Sequence, residues 1–178
     1  MSRQSWVEVL CNAEGDITLA NSASETSLTP KNAGIAVPAY YMEPGRIIRV
    51  KASGILSTTG TPTFQFKLKW GSTSIAQTTA FTTVSGASNL FWELEAWMTS
   101  RVQGVTNTGG TLIGGGRINA QSPLVTSTPV LNITPVSNAA VTGLDLVGAG
   151  TIDLTGTWGT ASSSNTITVQ QLAVESLN

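Results

Sequence analysis

Residues 40–70, YYMEPGRIIRVKASGILSTTGTPTFQFKLKW, read as a long strand, a turn and a second strand. In the second strand Phe64, Phe66, Leu68 and Trp70 point one way, while Gln65, Lys67 and Lys69 point the other. That period of two is the mark of a half-buried antiparallel strand. Between the strands, Ser57-Thr58-Thr59-Gly60-Thr61-Pro62 places Gly and Pro where a turn needs them.

Outward from this hairpin the same grammar continues. Alternating segments at 35–42, 46–56, 63–70, 75–81, 90–102, 111–120, 130–135, 151–158 and 166–176 are separated by turn chemistry such as Glu43-Pro44-Gly45, Ser85-Gly86-Ala87-Ser88-Asn89 and Asn107-Thr108-Gly109-Gly110. Before them, Trp6 to Leu10 and Asp16 to Leu19 are short strand candidates, and 21–32 reads as loop or arm. The pattern Ser22-Ala23-Ser24-Glu25 resembles a capping box, but no apolar helical stripe follows it, so no helix is expected there. Pro38, Pro129 and Pro135 belong on edge strands or at strand ends, because proline cannot donate to a central ladder. Residues 120–146 alternate weakly and carry three prolines, which leaves their strand layout open. The expected fold is an all-β antiparallel β-sandwich, jelly-roll-like, of eight to nine strands. Residues 1–33 are expected to form an N-terminal arm or strand pair making assembly contacts, and 34–178 the sandwich.

Composition agrees. Charged residues are 11% of the chain, against about 25% in an average globular protein. Polarity comes instead from Ser and Thr, with 18 glycines. Hydrophobic residues reach 40% and there are five tryptophans, enough bulky apolar area for a core. The net charge is −1 and the cations are scattered, which argues against a nucleic-acid groove. No apolar stretch approaches the ~20 residues that span a bilayer, and the opening MSRQSWVEVLCNAEGD lacks a signal-peptide core. Synthesis and folding in a cytoplasm are expected. A single cysteine, Cys11, excludes an intrachain disulfide and reads as a packing residue. The absence of histidine removes the commonest general base and metal ligand.

Several constellations invite chemistry. Glu93 and Glu95 share one face of a strand, as a glycosidase carboxylate pair would. They are equally placed to pair across the sheet with Lys67 and Lys69, or with Arg49 and Lys51, and charge matching favours pairing. The run from Gly109 to Arg117 lacks the Lys-Ser/Thr of a phosphate loop and reads as a flexible hairpin tip entering a glycine-rich strand. Gly114, Gly115 and Gly116 would permit close approach of a neighbouring sheet or subunit. Asp145 and Asp153 lie in apolar strand settings without the oxygen-rich loop of a calcium site. Asn132-Ile133-Thr134 matches a glycosylation acceptor, which means little without a secretory signal. Trp70, Trp92 and Trp158 fall in register with apolar partners and are expected in the core. Trp97 lies on the opposite strand face from Trp92, beside the two glutamates. Candidate protein-interface residues are Arg3, Trp6, Trp97, Gly114, Gly115 and Gly116. No catalytic residue, cofactor or metal is expected.

Words within this chain also resemble a known family. Ala39-Tyr40-Tyr41-Met42-Glu43-Pro44-Gly45-Arg46, the stretch from Ile48 to Gly54, Ser57 to Thr63, Lys69-Trp70-Gly71, Trp92 to Ala96 and the final ASSSNTITVQQLAVESLN look like segments of tailed-bacteriophage virion structural proteins. The resemblance runs from about Ile35 to the C-terminus and implies a β-sandwich module in an assembled particle, with no catalytic residues to carry over. The first expectation it supports is a capsid decoration (cement) protein, a homotrimer bound to the major capsid protein on the outside of the head and stabilising the shell. The alternative is a tail, baseplate or tail-fibre module that binds a host receptor glycan, for which Ser, Thr and Asn surfaces with exposed aromatics are suited. An enzyme is the weakest of the three.

Overall fold

The computed structural model describes residues 7–125 and 130–177. Among them are fourteen strands: β1 (Glu8–Asn12), β2 (Ile17–Ala20), β3 (Thr26–Ser27), β4 (Ile35–Val37), β5 (Ile47–Ser57), β6 (Thr63–Trp70), β7 (Thr73–Gln77), β8 (Phe81–Thr82), β9 (Leu90–Val102), β10 (Gly110–Ala120), β11 (Val130–Pro135), β12 (Val141–Leu144), β13 (Gly150–Trp158) and β14 (Thr166–Ser176). Every strand pairing is antiparallel. The all-β sandwich expected from the alternation is present, with more strands than eight or nine.

The sheet folds on itself into two layers. The front layer runs β1/β2, β14, β5, β9, β10 and β11, with β12 also on β10. The back layer runs β3/β4, β13, β6 and β7, with β8 on β6. β11 passes from one to the other: Val130 to Ile133 pair with β10, while Thr134 and Pro135 pair with β7. Pro135 therefore sits at a strand end, where its missing N–H costs no ladder bond.

Strict alternation sets the core. On β5, Ile48, Val50, Ala52 and Leu56 face inward; on β9, Trp92, Leu94, Ala96 and Met98 do; on β6, Phe64, Phe66, Leu68 and Trp70 do. The aromatics bridge the layers, with Phe66 of β6 and Trp92 of β9 at 5.2 Å between ring centroids, and Phe64 packs edge-on to Trp158 at 4.6 Å. Each such side chain contributes about 2–3 kcal/mol by burial. Trp70, Trp92 and Trp158 are all buried, as their register predicts, and Trp70 donates its indole N–H to the carbonyl of Asp145 (2.9 Å).

Residues 8–33 lie against this body. β1 and β2 extend the front layer beside β14, β3 pairs with β13 in the back layer, and Leu19 and Leu28 are buried. Tyr41 donates its hydroxyl to Glu8 of β1 (2.5 Å). Glu25 reaches across to both lysines of β6, Lys67 at 2.6 Å and Lys69 at 2.5 Å, and accepts a hydrogen bond from Thr155. Burial works to raise the Glu25 carboxyl, but the two ammonium groups outweigh it and hold it at about 2. Lys67 and Lys69 are thus on the back layer and do not meet Glu93 or Glu95.

Three further expectations need correction. The strand at 35–42 stops at Val37, because Pro38 follows and Tyr40 turns the chain with φ of 62°. The strand at 75–81 is two pieces, β7 and β8. Asp145 is not on a strand; it follows β12 and accepts the N–H groups of Val147 and Gly148 in a tight turn, which lowers its pKa. Asp153 does lie on a strand, opposite Lys69, and accepts hydrogen bonds from Ser27 (2.6 Å) and Thr29 (3.3 Å). Its burial beneath that segment raises its pKa despite them.

Candidate functional site

The outward positions of β14, β5, β9 and β10 form a regular grid on the front layer. One row runs Glu175, Arg49, Trp97, Gly115 across the four strands. The next runs Ala173, Lys51, Glu95, Arg117, and the next Gln171, Ser53, Glu93, Asn119. Below them Phe91 stands opposite Ile55. Along β9 alone the outward order is therefore Phe91, Glu93, Glu95, Trp97, a span of about 20 Å between the two aromatics. Phe91 is 45% exposed and Trp97 43%.

A trough of about 510 Å³ crosses this face. Its floor carries Lys51, Ser53, Glu93, Glu95, Arg117 and Asn119, and its wall is made by Asn12 and Ala13 with Gln170 and Gln171. That wall exists because β14 bulges: Val169 pairs with Gly54 and Gln171 with Ser53, leaving Gln170 as the extra residue. Gly54 is what permits the bulge, since a Cβ there would lie 1.9 Å from the Thr168 carbonyl oxygen. Both glutamines are exposed.

Several of these side chains are oriented by their neighbours. Asn119 donates to Glu93 (2.7 Å) and Ser53 to Gln171 (3.1 Å). Arg49 grips Glu175 through Nε (2.8 Å) and Nη2 (2.7 Å) and approaches Glu95 at 4.0 Å. Among the described residues, Lys51 and Arg117 make no ion pair or side-chain hydrogen bond, so their donors face the trough unspent. The two cations flank Glu95 and balance the two glutamates. Of the pairing that charge matching predicts, only the approach of Arg49 to Glu95 is made; Lys51 stands opposite Glu95 without an ion pair, and Glu93 takes Asn119 instead. Glu93 is exposed and Glu95 a third exposed.

Beside Trp97 lies a second, shallower trough of about 440 Å³, lined by Thr99, Ile113, Gly115, Asn132, Thr134 and Pro135 among others. The three glycines divide their work. A Cβ on Gly114 would meet Ile75 and Ala76 of the back layer at 3.1 Å, and one on Gly116 would meet the Glu95 carbonyl at 2.3 Å, so both allow close packing. Gly115 faces outward beside the indole. Trp97 and the glycines are therefore brought together, while Arg3 and Trp6 lie outside the described residues. Cys11 is half-buried on β1 next to a bulge, with its thiol pKa raised by burial and by Glu14, as suits an inert packing residue.

Sequence reasoning passed over Gln170, Gln171, Ser53 and Asn119. A local signal existed: two adjacent polar residues interrupt the alternation of β14, which is how a bulge reads in sequence.

No family model matches the chain, and no curated protein matches it. Among solved structures, the chain is similar to the CBM2 module of the evolved Dit of Lactobacillus casei BL23 phage J-1, at 10% identity and a TM-score of 0.44, over 99% of this chain and 98% of that one.

Proposed function

We propose that this chain is a non-enzymatic module of a tailed-phage virion that holds a host-surface glycan on the outer face of its front layer, as part of the tail or baseplate. The observation that carries this reading is the charge-balanced trough, which presents amide, hydroxyl, carboxylate and cationic groups between two exposed aromatics. A glycan offers hydroxyls that both donate and accept, together with apolar ring faces, and this surface supplies a counterpart for each. A subunit interface of comparable extent normally has an apolar centre and a polar rim, and here the centre is polar. The virion assignment rests on the sequence resemblance. The test is retention on immobilised wall polysaccharide from the bacterial host, with competition by the soluble polysaccharide. Retention that soluble glycan does not reverse would count against the reading.

Head decoration, as a homotrimer seated on the major capsid protein, is the second reading. It is favoured by β1, an edge strand of the front layer that exposes Val9, follows the exposed Val7 and is open to strand addition by a neighbour. Immunogold labelling of purified particles separates the two: label at the tail end supports glycan adhesion, and label spread over the head supports decoration.

A further inference from the structure

We infer that the outward face of Trp97 is a stacking platform for one pyranose ring of a linear polysaccharide, and that Gly115 is the residue that keeps this platform open. The inference rests on the glycan-binding reading and assigns it a subsite.

The indole is half out of water on a strand whose other face is fully committed to the core, with Ala96 and Met98 buried on either side of it. Its position is defined by its neighbours in the row. Arg49 stands on one side and is itself anchored by two nitrogens to Glu175; Gly115 stands on the other and contributes no side chain. A Cβ on Gly115 would lie 3.9 Å from the indole Nε1 and 3.6 Å from the Ile133 carbonyl oxygen, which is ordinary contact. The glycine is therefore not required by packing at that position, unlike Gly114 and Gly116. What its absent side chain does is leave the shallow trough empty beside the ring. The far wall of that trough carries Asn132 and Thr134, whose polar groups are placed for ring hydroxyls, while Ile113 and Pro135 add apolar surface.

Continuity with the larger trough supplies the rest of the argument. Trp97 and Glu95 are successive outward residues of β9, about 7 Å apart, and Glu93 follows after the same interval. A ring stacked on Trp97 thus leads directly onto the row of Lys51, Glu95 and Arg117, where unspent donors meet the next sugar. Because the cations and carboxylates balance, the surface selects for hydroxyl-bearing rings over a polyanion. A second copy of this chain would instead need an apolar centre in this face.

The experiment is a binding series on an array of defined bacterial-surface oligosaccharides, followed by titration of the strongest soluble hit, for wild type, Trp97→Ala, Trp97→Phe and Gly115→Val. Circular dichroism and sedimentation accompany each variant. Trp97→Ala and Gly115→Val are expected to weaken binding about tenfold, and Trp97→Phe only a few-fold, because a flat ring remains. Gly115→Val keeps the tryptophan and blocks access to it, so its effect separates loss of the platform from loss of fold. If wild type binds and both Trp97→Ala and Gly115→Val bind equally well, the subsite is wrong while the adhesive reading stands. If wild type binds no glycan at all, the adhesive reading falls and the subsite with it. A change of oligomeric state in Trp97→Ala with unaltered glycan affinity would make Trp97 a contact between copies, and would also overturn the inference.

Discussion

Glu25→Gln removes a single negative charge from between Lys67 and Lys69, and the structure sets how much that should cost. The carboxyl is held at about 2 instead of its ordinary 4.5, a difference equivalent to about 3 kcal/mol at neutral pH. Its side chain is 27% exposed, so solvent screening reduces the expected loss to about 2 kcal/mol. The sign follows from a folded pKa lying below the unfolded one. The stabilisation is complete above about pH 4.5 and is lost as pH falls toward 2. Urea denaturation of wild type and variant at pH 7 and at pH 2.5 measures this, with a difference of about 2 kcal/mol at the first and much less at the second. Asp153 is shifted in the opposite direction, chiefly by burial and in part by Glu25 itself, so the same comparison on an Asp153→Asn background isolates the contribution of Glu25. An equal loss at both pH values would refute an ionic origin. No loss at pH 7 would show that strand pairing and buried Leu28 seat residues 24–29 without help from Glu25. Amide exchange in that segment should rise in the variant at neutral pH and match wild type in acid.

Trp92→Ala empties the point where the two layers meet and should cost about 3–5 kcal/mol, read as a shift in the denaturation midpoint at unchanged slope. Gly54→Ala puts a methyl group against the Thr168 carbonyl and should destabilise by about 2 kcal/mol or more, while also flattening the Gln170 bulge; amide exchange along β14 would report the second effect. Asp153→Asn keeps an acceptor for Ser27 and Thr29 but removes a buried charge. Because burial raises the Asp153 pKa, the aspartate weakens the fold as pH rises above 3.8, so the variant should be as stable or more stable at pH 7 and no different at pH 3. Matched denaturation curves at the two pH values check it.

Much of the fold is legible because a period of two is hard to mistake where it is strict. Residues 63–70 alternate without interruption and form a strand with those bounds; 90–102, 130–135 and 166–176 are also strands with the expected bounds, although their patterns are less regular. Where a local conformational switch intervenes, alternation misleads: Ile35 to Met42 alternates on paper, yet Pro38 and the left-handed Tyr40 end the strand early. β12 is short and contains Gly143 at φ of 76°, which hides it in a stretch of weak pattern. Partner choice is a different kind of information. Lys67 and Lys69 find Glu25 because β3 lies beside β13, a strand order that no local window contains. The trough is harder still, since it exists only once β1, β14, β5, β9 and β10 are in register, and its residues come from five separated parts of the chain. Trp97 was recognisable as outward from β9 alone; that Gly115 stands beside it was not.

The pairing of β1 with β14 has a mechanical meaning. Glu8 lies opposite Ser176, and the strands run antiparallel, so both ends of the described chain emerge side by side at one corner of the molecule. Tension applied through those two ends would pull the ladder apart one rung at a time, as a zipper opens, instead of shearing all its rungs together. Tension passed from the trough to the C-terminal end of β14 would load the long ladders of β5, β9 and β14 along their length, where many bonds share it. Held by the C-terminal end of β14 alone, the module is therefore the stronger grip, and force spectroscopy from the two geometries should show a clear difference in rupture force.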